Sequence, residues 1–348
     1  MLALTFQGIE QVGCQTLEDP RIELPGDAIV AVRLAGVCGS DLHVFHGRET
    51  GLDPGTAMGH EFVGEVIETG RDVDRIQKGS LVVSPFTTSC GECELCLAGL
   101  TARCRRGELF GWRQRGAGLH GAQAEMIRVP LADSTLVEVP PGISPENALL
   151  AGDVLSTGYF CAHQGGVEAG CVVAVVGCGP VGLMAVLAAQ RLGAERVFAI
   201  DPVLERLELA ARFGAEPVNL QHSSAEEIIL EATQGLGVHV VLEAVGSPQA
   251  SLLAMGLVRP GGTISAVGVH TEPQFAFSPA EAYDKNLTYK IGRCSARKFM
   301  DTILPWLADS DLDPAVIISH RLPLAEGPRA YEIFAEKLES CTKAVLTP

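Results

Sequence analysis

Positive charge is scarce in this chain: 26 lysines and arginines face 42 aspartates and glutamates in 348 residues, a formal net charge of -16. Such an excess repels phosphates and argues against nucleic acid or an anionic membrane surface as partner, while leaving small ligands open. The segment MLALTFQGIEQVG at the start has neither a basic run nor a long apolar stretch. No secretory signal is therefore expected, and the expected compartment is a reducing cytoplasm. Internal repeats and low-complexity tracts are absent. One uncharged stretch, CVVAVVGCGPVGLMAVLAAQ over 171–190, is long enough to cross a bilayer. Gly177, Gly179, Pro180 and Gly182 interrupt it, so a buried strand, a tight turn and a packed helix explain the same letters better. With 47% apolar and only 20% charged residues, the chain reads as globular, and its length suggests two domains.

The texture changes part-way. Up to about residue 150, AIVAVRLAGV (28–37), EFVGEVIETG (61–70) and SLVVSPF (80–86) read as strands between glycine, proline and aspartate, and helical periodicity is rare. From about residue 155, strands and helices alternate. CVVAVVG, RVFAID, VHVVLEAVG and GTISAVGVH read as strands, and PVGLMAVLAAQRLG, LERLELAARFG, AEEIILEATQ and QASLLAMGLVRPGG as helices. This pattern predicts a parallel sheet covered on both faces. KFMDTILPWLAD and RAYEIFAEKLES read as further helices, and CTKAVLTP as a strand returning to the first domain. The fold class is α/β: a β-rich domain over 1–155, a doubly wound dinucleotide-type domain over 156–291, and a returning segment over 292–348.

Two motifs carry chemistry by themselves. Cys90, Cys93, Cys96 and Cys104 lie at C-x2-C-x2-C-x7-C spacing in SCGECELCLAGLTARC. Four thiolates so close can enclose one zinc with no open position, which makes the site structural. The alternative is a disulfide cluster, in which neighbouring cysteines would strain against one another. Six other cysteines, Cys14, Cys161, Cys171, Cys178, Cys294 and Cys341, read as buried or partly buried thiols. The second motif is Gly177-Cys178-Gly179-Pro180-Val181-Gly182, a G-x-G-x-x-G run between a strand and a helix, with Asp201 nineteen residues beyond it. Glycines there let the backbone approach a pyrophosphate, and the helix start attracts it. The alternative is a merely tight turn. Asp201 at the end of the next strand suits ribose hydroxyls and repels a 2′-phosphate, which favours NAD over NADP. Arg206 lies close enough to soften that preference, although LERLEL reads as a solvated helix face.

A third constellation is more scattered. GVCGSDLHVFHG supplies Cys38, Ser40, Asp41 and His43, and GHEFVGEV supplies His60 and Glu61. A cysteine and a histidine, each beside glycine in a β-rich domain and joined to a dinucleotide fold, point to an open zinc site. With GVCGSDLH, GHEFVGEV, the cysteine loop, GDVLSTGY and VVGCGPVGLMAV in order, the chain resembles the zinc-dependent medium-chain alcohol dehydrogenases along its whole length. The resemblance implies a GroES-like catalytic domain and a Rossmann domain, two zinc ions per chain, and hydride exchange between an alcohol and NAD. It makes Cys38, His60 and Asp153 the catalytic zinc ligands, with aspartate third as in a bacterial branch that includes formaldehyde-dehydrogenase-like members. Glu61 matches a carboxylate able to approach that zinc or to stand behind its ligands. Ser40 and His43 match a proton relay through the ribose, and Thr157 a residue against the nicotinamide. Val267 and Val269 complete the cofactor-binding set. Asp41 is expected to fix the loop or a histidine. Lys343 is expected either to reach the pyrophosphate or to be a solvated surface lysine.

The substrate expectation rests on LFGWRQRGAGLHGAQAEMIRVP, which borders the substrate pocket in related enzymes. Trp112 is a candidate wall there; the alternative is an aromatic packed beneath the zinc loop. An apolar wall favours aliphatic or benzylic alcohols over polyols, whose hydroxyls lose water at a cost unless each finds a partner. A polyol, sugar or formaldehyde-type dehydrogenase, and more remotely a non-catalytic dinucleotide-binding protein, are the competing readings. By the same resemblance the expected assembly is a homotetramer.

Overall fold

The ten-residue strand Ala28–Val37 is apolar at eight positions and buried along most of its length, which makes it the spine of the first sheet. In a computed structural model describing residues 1–308 and 313–348, it pairs antiparallel with Phe62–Thr69, Met126–Val129 and Lys343–Thr347. The sheet's order is Ile318–Pro323, Lys343–Thr347, Ala28–Val37, Phe62–Thr69, Leu81–Ser84 and Val137–Glu138, with Met126–Val129 as seventh strand. This sheet belongs to a unit made of Met1–Ser156 and Ser295–Pro348. Leu4, Phe6, Val44, Leu52, Met58, Tyr331 and Phe334 form one core of that unit, so the amino-terminal strand and a carboxy-terminal helix share it.

Thr157–Cys294 form the second unit. Its six strands run in the order Glu216–Asn219, Arg196–Asp201, Val172–Val176, Val238–Glu243, Val258–Ala266 and Thr288–Ile291, all parallel. Strand Val172–Val176 is apolar throughout, as burial on both sheet faces requires. It sits where the winding reverses, the point at which open sheets of this class hold ligands. The helices Pro180–Arg191, Leu204–Arg212, Ala225–Ala232 and Pro248–Leu257 connect the strands. Ser224 and Ser247 cap the last two through their hydroxyls.

The described elements also correct the sequence reading in places. QASLLAMGLVRPGG is not helical to its end: the helix stops at Leu257 and Val258 begins a strand, because Pro260 disfavours helical backbone before it. RAYEIFAEKLES is shortened too. Helix Gly327–Glu336 ends where Lys337 turns left-handed at φ 54°. KFMDTILPWLAD becomes helix Ala296–Ile303 and a 3-10 turn Leu304–Ala308, and its final residue, Asp309, lies outside the described residues. Short helices Gly39–Phe45 and Pro145–Gly152 interrupt the region expected to be nearly all strand. Among the described residues no helix is long and apolar enough to cross a membrane.

Candidate active site

Three separate turns of the first unit deliver the candidate metal-ligating side chains. Cys38 follows strand Ala28–Val37 and caps helix Gly39–Phe45 with extended backbone, φ -109° and ψ 156°. The Asp41 carboxylate closes that turn by accepting from the Cys38 amide at 2.9 Å. His60 and Glu61 precede the neighbouring strand Phe62–Thr69, whose Phe62 pairs with Ala35. Asp153 stands at the end of helix Pro145–Gly152, which begins at a Ser144 cap followed by proline. A Cβ on Gly152 would lie 2.3 Å from the Ser84 carbonyl oxygen, so only glycine lets this helix end approach the sheet.

One donor atom from each of Cys38, His60, Glu61 and Asp153 lies within 4.8 Å of the others, and all four residues are buried. Cys38 Sγ is 3.4 Å from Asp153 Oδ2, and His60 Nε2 is 3.3 Å from the same oxygen. A tetrahedral zinc with bonds of about 2.0–2.3 Å spaces its ligand atoms roughly 3.3–3.8 Å apart. The donor set therefore fits zinc in both chemistry and spacing. His60 Nδ1 faces Asp41 Oδ1 at 3.3 Å, which turns Nε2 toward the metal position. Ser40 Oγ lies 3.3 Å from that Nε2.

The metal-free electrostatics fit as well. Burial, then Asp153 and Glu61, push the Cys38 thiol up to about 11, so a metal must help to remove its proton. Burial works against charge on Asp153 too, yet the His60 hydrogen bond, the His60 charge and Lys343 hold it at about 2. Beside the other candidate ligands, Glu61 Oε1 accepts from Lys343 Nζ at 2.6 Å, with both side chains fully buried. Lys343 Nζ also donates to the Val37 carbonyl at 3.0 Å. Burial opposes its charge, but Glu61 and Cys38 raise its pKa above the ordinary lysine value. Glu61 Oε2 is buried with no hydrogen-bond partner among the described residues.

The cysteine loop forms a second donor set. Cys90, Cys93, Cys96 and Cys104 place their sulfurs within 4.8 Å of one another. Cys90–Cys96 and Cys93–Cys104 are 3.9 and 4.0 Å apart, close to the roughly 3.8 Å edge of a tetrahedral Zn–S4 site. Backbone amides of Cys90, Cys93 and Arg106 donate to these sulfurs. No cysteine forms a disulfide among the described residues.

In the second unit, Gly177 leaves strand Val172–Val176 at φ 87°, and a Cβ on Gly182 would sit 1.7 Å from the Gly177 carbonyl oxygen. Glycine is obligatory for this turn, and helix Pro180–Arg191 starts with no side chain capping its amides. Those amides remain available to an anion, which fits a dinucleotide pyrophosphate. Asp201 ends its strand nearly buried, accepting from the Cys178 amide at 2.7 Å and the Val203 amide at 2.8 Å. A cavity of about 410 Å3 lined by Pro202, Val203, Leu204, Asn219, Gln221 and His222 opens beside it. The Val267 amide donates to Glu243 at 2.9 Å, and Val269 is partly exposed. Thr157 is buried in helix Val154–Gly165.

Comparison with known proteins now bears on these sites. The alcohol dehydrogenase GroES-like domain matches residues 24–141, and the zinc-binding dehydrogenase domain matches 180–309. Zinc-type alcohol dehydrogenase B of Aspergillus flavus is 39% identical over 342 residues, 96% of this chain and 78% of that one. A zinc-type alcohol dehydrogenase-like protein of Bacillus subtilis is 34% identical over the full length of both chains. The solved alcohol dehydrogenase TADH of Thermus sp. ATN1 is 44% identical, with a TM-score of 0.94 over 100% of this chain and 99% of that one. The chain belongs to the zinc-dependent medium-chain alcohol dehydrogenase family.

Within this alcohol dehydrogenase two expectations need correction. Lys343 is not a solvated lysine: it is fully buried against Glu61. Arg206 does not lie on a solvated face either. Its side chain folds back on the dinucleotide turn, with Nη1 3.8 Å from Asp201 Oδ2. Asp41 does both things expected of it, fixing the turn and facing His60. Trp112 is half-buried and packs on the cluster of Leu4, Met58 and Tyr331. Ser40 and His43 make no direct hydrogen bond, and His43 Nδ1 is buried without a partner among the described residues. Sequence reasoning missed Gln123 and Tyr331, which reach Asp41 through side-chain hydrogen bonds. No local motif marks either residue.

Proposed function

We propose that the protein transfers hydride reversibly between an alcohol and its aldehyde or ketone, with NAD as acceptor and apolar aliphatic or benzylic alcohols as substrates. The observation that carries this reading is the contrast between the two donor sets. One is four cysteines and nothing else. The other combines Cys38, His60 and Asp153 with a hydroxyl, Ser40 Oγ, beside the metal-facing imidazole nitrogen. Three protein ligands would leave a fourth position open for substrate, which suits a catalytic zinc rather than a structural one. Zinc bound by those three residues would supply Lewis acidity toward the alcohol oxygen.

The chain's own residues do the rest. Asp41 holds the imidazole of His60 in orientation, and Ser40 and His43 are proposed to carry the alcohol proton away. Glycines 177, 179 and 182, with Pro180 and Val181 opening the helix, would cradle the pyrophosphate, and Thr157, Val267 and Val269 are proposed to border the nicotinamide. Asp201 favours the unphosphorylated ribose of NAD, and its contact with Arg206 offsets the charge that would otherwise welcome NADP. Glu61, bound to Lys343, is proposed to stand behind the three metal ligands. Trp112, half-buried on the Leu4, Met58 and Tyr331 cluster, is proposed as an apolar pocket wall. The assembly proposed is a homotetramer, by resemblance to short bacterial members.

The test is NADH formation by zinc-loaded protein with short, branched, benzylic and polyhydroxy alcohols, repeated with NADP and with formaldehyde. Preference for apolar alcohols with NAD supports the proposal, whereas turnover confined to polyols or formaldehyde replaces its substrate clause. His60→Ala should abolish turnover and leave NAD binding measurable; retained turnover would overturn the metal role of His60.

A further inference from the structure

Gln123 is fully buried, and its main chain is clamped between its neighbours: its amide donates to the Met58 carbonyl at 2.8 Å, and its carbonyl accepts from the Leu4 amide at 2.8 Å. Its side chain joins three groups. Nε2 donates to the Gly36 carbonyl at 3.0 Å and to Asp41 Oδ2 at 3.3 Å, and Oε1 accepts from the Tyr331 hydroxyl at 2.9 Å. The direction of this chain of bonds is fixed by chemistry. A backbone carbonyl can only accept, so the amide nitrogen must face Gly36, and the amide oxygen must then face Tyr331. Flipping the amide would set its oxygen against a carbonyl and a carboxylate at once.

The consequence reaches the metal. With Oδ2 of Asp41 occupied by the Cys38 amide and by Gln123, Oδ1 is left to face His60 Nδ1 at 3.3 Å. That favours the tautomer protonated on Nδ1 and leaves the Nε2 lone pair for the metal. We infer that Gln123 is a positioning residue for the catalytic metal site, acting on His60 through Asp41 and held in register by Tyr331. The inference rests on the reading of His60 as a zinc ligand. It deepens that reading by assigning a role to residues 82 and 208 positions from their respective partners Asp41 and Gln123.

The cysteine site supplies an internal control, because it lies on the same chain and shares none of these bonds. The experiment follows zinc release from the zinc-loaded full chain to the colorimetric chelator 4-(2-pyridylazo)resorcinol. It compares wild type, Gln123→Glu, Tyr331→Phe and His60→Ala. Gln123→Glu keeps the side-chain shape and removes the amide donors; Tyr331→Phe removes only the hydroxyl. The expected result is catalytic zinc held about tenfold more weakly in both, the lower end for groups behind a ligand, with release from the cysteine site unchanged. Cobalt substituted at the catalytic site should show a shifted ligand-field band in the same two variants. Unchanged release of catalytic zinc would overturn the inference, as would equal acceleration of both zinc ions, which marks general loosening. His60→Ala separates the two levels: loss of one zinc upholds the ligand assignment on which Gln123 is judged, whereas retention of both overturns that assignment first.

Discussion

Replacing Lys343 by methionine tests a fully buried charge. The ammonium and the Glu61 carboxylate are both fully buried and 2.6 Å apart, and Glu61 Oε2 has no hydrogen-bond partner among the described residues. Methionine keeps most of the side-chain volume but leaves a carboxylate in a dry site beside Asp153 and Cys38. Removing one partner of a buried ion pair costs about 3–5 kcal/mol. At roughly 2–4 °C per kcal/mol for a unit of this size, the melting transition of the catalytic unit should fall by about 6–20 °C. Scanning calorimetry of zinc-loaded wild type, Lys343→Met, Glu61→Gln and the double variant reads this directly. The double variant removes both charges and should recover most of the loss, since a neutral pair carries no uncompensated ion. A single-variant shift under about 2 °C, or a double variant as unstable as Lys343→Met, would refute the reasoning.

Zinc uptake at the catalytic site should release about two protons per metal near pH 7. Without metal the Cys38 thiol is pushed up to about 11 by burial, Asp153 and Glu61. His60, despite its burial, is raised well above the usual histidine value by Asp41 and Asp153. Both groups are then protonated at neutral pH, so zinc affinity should weaken as pH falls and strengthen as it rises. Calorimetric titration in buffers of different ionisation enthalpy counts the protons, and zero release would contradict the ligand set. Gly182→Ala should abolish NAD binding measured by fluorescence quenching, because the new Cβ would lie 1.7 Å from the Gly177 carbonyl oxygen. Near-normal affinity would show that the turn can open.

How much of this was legible in the sequence depended on distance along the chain. The four structural cysteines fall within fifteen residues, so their spacing alone describes the site. The glycine turn is equally local: strand Val172–Val176, Gly177 and helix Pro180–Arg191 are consecutive. Cys38, His60 and Asp153 come from three turns, and only the family resemblance joined Asp153 to the other two. Tertiary placement decides the remainder. Lys343 looks like any polar residue opening an exposed terminal strand, yet its strand lies between two others, against Ala28–Val37 and Ile318–Pro323, and its side chain points inward. Arg206 has the right periodicity for a solvated helix face, and Asp201 draws it back instead.

The carboxy-terminal segment therefore does more than close a sheet. Lys343 neutralises one of three anionic side chains, Cys38 as thiolate, Asp153 and Glu61, that would otherwise face a single divalent ion. Tyr331 fixes the amide that orients Asp41. Both contributions come from residues after the dinucleotide-binding unit in the chain, whereas the ligands themselves come before it. The pairing of the last strand with Ala28–Val37 is therefore part of the geometry of the candidate metal pocket. The same pairing buries the ammonium that makes Glu61 tolerable there, which ties the last strand to charge balance at the candidate metal site.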